Sequence, residues 1–183
     1  MKETDFEIRT ATLSAADKKL VGYAVKWNSR SQVLWDEFVE QFAPNAFKDS
    51  LASGSDVRCL FEHDHTALLG RNTSGTLILS EDATGLRFEL TPPDTQLGRD
   101  VLTLVERGDI QGMSFGFRAL QDQWDSTQQP YVRTVLAAEL REITVTSLPA
   151  YRETDIQIAK RSLLTQHPEL VDLRAHWAYL AGL

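Results

Sequence analysis

The sequence predicts a mainly β domain, a barrel or sandwich with helices packed outside it. Three observations point there. Short runs that alternate in polarity or concentrate β-branched and aromatic residues recur from Phe6 to Thr146, separated by turn-forming clusters. About two internal stretches carry helical spacing. Strands and helices do not alternate regularly, which argues against a doubly wound parallel sheet.

Taken in order, Phe6 to Thr10 alternates as a short strand, and a polar loop is expected through Ala16 and Asp17. Lys19 to Trp27 reads as a strand, and Val33 to Phe42 as extended chain. Pro44 to Leu51 is expected to be a short helix, with Pro44 in its first turn and Gly54 just past its end. Asp56 to Phe61 is a compact strand running into Glu62-His63-Asp64-His65. Gly75 to Ser80 and Leu86 to Leu90 form a hairpin across the turn-rich stretch 81–85. Leu97, Val101, Leu104 and Val105 have helical spacing, and Gly108 closes that helix. From Met113 the period is two, and after a turn at Asp125 to Pro130 the stretches Tyr131 to Ala137 and Glu139 to Thr146 read as two strands or one bent one. The expected division is a domain over 1–155 and a helical tail over 156–183, interrupted by Pro168.

With 183 residues, 42% hydrophobic and 25% charged, the chain suits one soluble globular domain with a proper core. A net charge of −7, with Lys and Arg scattered, argues against a general nucleic-acid binder, which needs a basic face. The single cysteine, Cys59, excludes an intramolecular disulfide and reads as a buried small hydrophobe. The polar, acidic start, Met1 to Asp5, is not a secretory signal, and no run of about 18 apolar residues would span a membrane. A cytoplasmic location is the default expectation.

Ser114 stands between two glycines in Gly112-Met113-Ser114-Phe115-Gly116, where helical spacing gives way to alternation. The spelling matches the G-x-S-x-G nucleophile elbow, but that elbow needs a strand before the serine and a helix after it. Here the order is reversed, so an α/β-hydrolase is excluded. A serine nucleophile needs a base, usually an oriented histidine. His167 and His176 lie in the polar tail, whereas His63 and His65 follow an apolar strand that can deliver them to a cleft. His63 and His65 also share a strand face and invite a metal reading, yet no motif supplies a third ligand. Neither a metal nor a cofactor is expected. For the orienting carboxylate, Glu139 and Glu142 lie in apolar strand-like sequence and point to opposite faces of a regular strand, and the residues alone do not choose between them.

Several of these pieces occur together in one known family. Gly22-Tyr23-Ala24-Val25, Phe42-Ala43-Pro44-Asn45-Ala46-Phe47, Val57 to Asp64, Leu69-Gly70-Arg71, Gly98-Arg99-Asp100, Gly112 to Phe117, and Leu140 to Ile143 leading to Leu148-Pro149-Ala150-Tyr151 follow one another in that order. On these the sequence resembles the prohead maturation serine proteases of HK97-like tailed phages and prophages. It departs from them at Asn45, where glycine is frequent, and at Glu62, where asparagine is. The resemblance implies a β-barrel ringed by helices, similar in fold to herpesvirus assemblins. It also implies Ser114 as nucleophile, His63 as base and Glu142 as third member, with His65 and Glu139 as rivals and the Gly98-Arg99 backbone as an oxyanion donor. The implied substrate is the scaffolding segment of the major capsid protein, cleaved inside the procapsid in the cytoplasm of the bacterial host, with self-cleavage and self-association. No nucleic acid or membrane partner is implied. The alternatives from other classes are a catalytically silent capsid-assembly or scaffolding protein and a metal-dependent hydrolase using His63 and His65.

Overall fold

The structure, a computed structural model, describes residues 7–16, 18–34, 37–147 and 166. The strands are β1 (Glu7–Ala16), β2 (Lys19–Lys26), β3 (Phe38–Phe42), β4 (Arg58–Phe61), β5 (Asp64–Arg71), β6 (Leu77–Glu81), β7 (Gly85–Leu90), β8 (Gly112–Asp125) and β9 (Tyr131–Thr146). Helix α1 (Lys48–Ala52) lies between β3 and β4, and α2 (Gln96–Glu106) between β7 and β8. The strands form one path, β5-β4-β9-β8-β1-β2-β7-β6, and β3 pairs with β9 beside it.

The antiparallel β8–β9 ribbon is the spine. One edge of β9 is paired by β8 along most of its length. Its other edge takes β3 in parallel at Tyr131 to Val135 and β4 in parallel at Glu142 to Val145. Between these two partners the α1 region fills the gap: the Ala138 N–H donates to the Ala46 carbonyl at 2.7 Å, and the Leu140 N–H to Ser50 Oγ at 2.9 Å. Buried backbone donors are thus satisfied where no strand reaches.

Alternation along β8 separates its two faces. Met113, Phe115 and Phe117 enter the core, and Gly112, Ser114 and Gly116 take the other side. Phe115 and Phe117 pack with Phe42 and Phe47 at ring separations of 5.0 to 6.3 Å. Each fully buried Phe contributes about 1.5–3 kcal/mol. A one-residue slip would send these rings to the wrong side, so the cluster fixes the register that places Ser114.

The expected mainly β architecture with peripheral helices is what the structure has. Among the described residues the ladder does not close into a complete barrel, since β5 and β6 stand at the two ends of the path. The ends still approach each other. A Cβ on Gly70 of β5 would lie 2.3 Å from Leu90 Cδ1 of β7, and the Arg71 N–H donates to Thr76 Oγ1.

Three local expectations are corrected. The polar stretch after Thr10 is strand, because β1 pairs with β8 through Glu7 to Thr12 and then with β2 through Leu13 to Ala16. Helix α1 begins at Lys48, and Pro44 lies in the turn before it, where Asn45 adopts a left-handed φ of 66°. Strand β5 was not expected, because its Asp64-His65-Thr66 start is polar and exposed. Of the two readings offered for residues 131–146, the single long strand is the one observed. Of the expected tail, 156–183, only Gln166 lies among the described residues; it is helical and its Nε2 donates to Asp122 O and Oδ1 at 2.9 and 2.8 Å. No helix among the described residues is long and apolar enough to cross a membrane.

Candidate active site

Three neighbouring strands carry the site. On β8, Ser114 is paired directly with Thr144 of β9, which is paired in turn with Leu60 of β4. Glu142 lies two residues before Thr144, on the same face, opposite Gly116. Because Gly116 has no side chain, nothing from that position competes with the carboxylate for space.

His63 comes from the turn that joins β4 to β5. Glu62 and His63 are the two linking residues, and both adopt left-handed backbone conformations, φ 50° and 58°. That is the geometry of a tight two-residue hairpin, normally built from Asn and Gly. It aims His63 back along β9, where its Nδ1 meets Glu142 Oε1 at 2.7 Å. Both side chains are almost fully buried, 6% and 3% exposed. A carboxylate only accepts, so Nδ1 carries the proton of this bond, and the neutral imidazole presents Nε2 as an acceptor.

Among the described residues, His63 Nε2, Ser114 Oγ, Thr144 Oγ1 and Arg118 Nε are buried without a hydrogen bond, so Ser114 and His63 are not bonded to each other. Ser114 and Thr144 are cross-strand partners, and Thr144 lies two residues from Glu142, which holds His63. Leaving a buried polar group unpaired costs about 1–3 kcal/mol each. A concentration of such groups around one histidine–carboxylate pair marks a site built to meet a ligand.

The other candidates are elsewhere or otherwise engaged. His65 is exposed on β5, two residues beyond His63. Glu139 is bound by Arg118 at 2.9 Å and Arg141 at 3.0 Å. The described residues contain no group of three His, Cys, Asp or Glu able to hold a metal. Cys59 is fully buried, and burial, with the Glu142 carboxylate nearby, pushes its thiol far above the ordinary range, so it offers no thiolate nucleophile. His167 and His176 lie outside the described residues.

The Gly98-Arg99 backbone is not available as an oxyanion donor. The Gly98 N–H donates to the Thr95 hydroxyl and the Arg99 N–H to the Thr95 carbonyl, both inside the first turn of α2. Gly98 is needed there for another reason: a Cβ would lie 2.0 Å from the Pro93 carbonyl oxygen.

Sequence reasoning overlooked Thr144 and the role of Glu62. Thr144 was discoverable as the alternate strand residue after Glu142. The Glu62 carboxylate accepts from Thr146 Oγ1 and from the Ser147 N–H, each at 2.7 Å, and the Glu62 N–H donates to the Val145 carbonyl at 2.9 Å. Partial burial alone would raise its pKa, but these hydrogen bonds and the neighbouring His63 outweigh it and hold the carboxyl below its ordinary value.

A family model described as caudovirus prohead serine protease matches residues 4–168. Among curated proteins, the chain is similar to the prohead protease of Enterobacteria phage HK97, 31% identical over 143 residues that cover 76% of this chain and 59% of that protein. It is also similar to the prohead protease of Escherichia phage T5, 27% identical over 101 residues that cover 55% of this chain and 45% of that one. The chain thus spans about half the length of the curated relatives it matches. No solved structure matches it significantly.

Proposed function

Because the chain belongs to the caudovirus prohead serine protease family, we propose that it is a serine endopeptidase of phage capsid maturation, with Ser114 as nucleophile, His63 as general base and Glu142 as orienting carboxylate. The observation that carries this reading is the buried 2.7 Å bond from His63 Nδ1 to Glu142, with Nε2 and the Ser114 hydroxyl both unpartnered in the same patch.

In this reaction His63 Nε2 takes the Ser114 proton as Oγ attacks the scissile carbonyl carbon. The same proton passes to the leaving amine as the C–N bond breaks, and water then releases the acyl group by the reverse sequence. Glu142 holds the tautomer that makes Nε2 the acceptor and stabilises the imidazolium formed during attack. Ser114 is fully buried.

The substrate is the scaffolding segment of the major capsid protein, cleaved within the procapsid in the host cytoplasm, followed by cleavage of the protease itself. Co-expression with the capsid protein tests this. The wild type shortens the capsid protein, and Ser114→Ala leaves it full length. Capsid protein shortened alike by both would overturn the assignment of Ser114.

A further inference from the structure

We infer that Glu62 is a positioning residue for His63: its carboxylate staples a left-handed turn to the end of β9, and that staple decides where the imidazole's free nitrogen lies. The inference rests on the reading of His63 as the general base.

Both residues between β4 and β5 have positive φ, a region that long L side chains rarely occupy unless their surroundings hold them there. Nothing intrinsic to a Glu-His pair favours that turn, whereas Asn-Gly would. Hydrogen bonds to the end of β9 hold it there. Residue 62 is tied to the end of β9 and to the residue after it, through its N–H to the Val145 carbonyl, and through its two carboxylate oxygens to the Thr146 hydroxyl and the Ser147 N–H. Each carboxylate oxygen has its own donor, so the side chain cannot swing without breaking one of them.

His63 itself is tied to β9 once, through Nδ1 to Glu142. A single hydrogen bond leaves the ring free to pivot about its own axis, and Nε2 would sweep an arc as it did. The position of the His63 Cα removes that freedom, and in a two-residue turn that position follows from residue 62. The imidazole is thus held from opposite ends of one short stretch of β9: Glu142 grips the ring, while Thr146 and Ser147 grip the neighbouring residue. Glu62 does not touch the reacting atoms. It acts through His63.

The test measures the rate at which a fluorophosphonate labels Ser114, which reports the serine–histidine pair without requiring peptide recognition, together with thermal melting. Glu62→Ala is expected to slow labelling roughly 10- to 100-fold. Glu62→Asn, which accepts the left-handed turn without the staple, is expected to recover part of the loss. Thr146→Val removes one arm of the staple and should slow labelling less; combined with Glu62→Ala it should add nothing further. If Glu62→Ala fails to fold, Thr146→Val carries the test. Wild-type labelling in folded Glu62→Ala, or in Thr146→Val where Glu62→Ala does not fold, overturns the inference if His63→Ala is not labelled. Wild-type labelling in His63→Ala overturns the reading of the base itself, a distinguishable result.

Discussion

Two buried charged clusters sit at opposite ends of β9, each spread across β9 and both of its neighbours. At the start of the strand, Arg133 lies between Glu40 of β3 and the β8 residues Asp122 and Trp124. Its Nη1 donates to Glu40 at 2.8 Å and its Nε to Asp122 at 2.7 Å, and the guanidinium stands 5.8 Å from the centre of the Trp124 ring. Arg133 and Glu40 are each 1% exposed. At the other end, Glu142 and His63 are buried almost as deeply, but His63 Nε2, Ser114 Oγ and Thr144 Oγ1 around them are left open. The same three-strand geometry therefore supports two outcomes. Where charges meet their partners, the cluster holds β3, β9 and β8 together. Where polar atoms are buried without partners, the cluster costs stability instead.

The sharpest way to break this contrast is Glu142→Gln. The amide keeps the shape but no longer enforces the tautomer or stabilises the imidazolium, and turnover should fall on the order of 10³–10⁴-fold. Melting should barely change, and capsid-protein cleavage measured beside thermal unfolding checks both. Turnover equal to wild type would place the orienting group elsewhere. Glu40→Ala is the counterpart at the other end. It removes one of the carboxylates against which Arg133 is buried and should destabilise the fold by about 3–5 kcal/mol, read from the denaturant midpoint. Folded Glu40→Ala protein should still be labelled at Ser114, because the effect is on the scaffold. Thr144→Val is the smallest and the most telling change. It removes a buried hydroxyl with no partner while preserving shape, so the protein should become about 1 kcal/mol more stable. A loss of stability would mean that Thr144 Oγ1 already has a structural partner.

Much of this was legible along the chain. The alternation of Met113, Phe115 and Phe117 fixes which side of β8 Ser114 occupies. The expected separation of Glu139 and Glu142 onto opposite faces does not hold, because an irregularity in β9 between Leu140 and Glu142 sends Leu140 and Ile143 to the core and leaves both glutamates, opposite Arg118 and Gly116, on the other face. The family resemblance, carried by short ordered pieces, is borne out by the family model and by the relatives from phages HK97 and T5. Less legible were β1 beyond Thr10 and the whole of β5. Their sequences are polar or mixed, and their strand character comes from ladder partners supplied by β2, β8 and β4. The α2 turn shows the same limit in reverse: Gly98-Arg99 suggests free backbone donors, yet Thr95 caps both.

By itself the sequence determined the mainly β composition, the candidate residue types and their order, and the core face of β8, because these follow from local periodicity and side-chain chemistry. Only the tertiary structure decided which histidine meets which carboxylate. His63 and Glu142 are brought within 2.7 Å by the parallel pairing of β4 with β9 and by a left-handed two-residue turn. Neither is written in local preference. A Glu-His pair does not favour positive φ, and a parallel register between distant strands is set by the core that both must share.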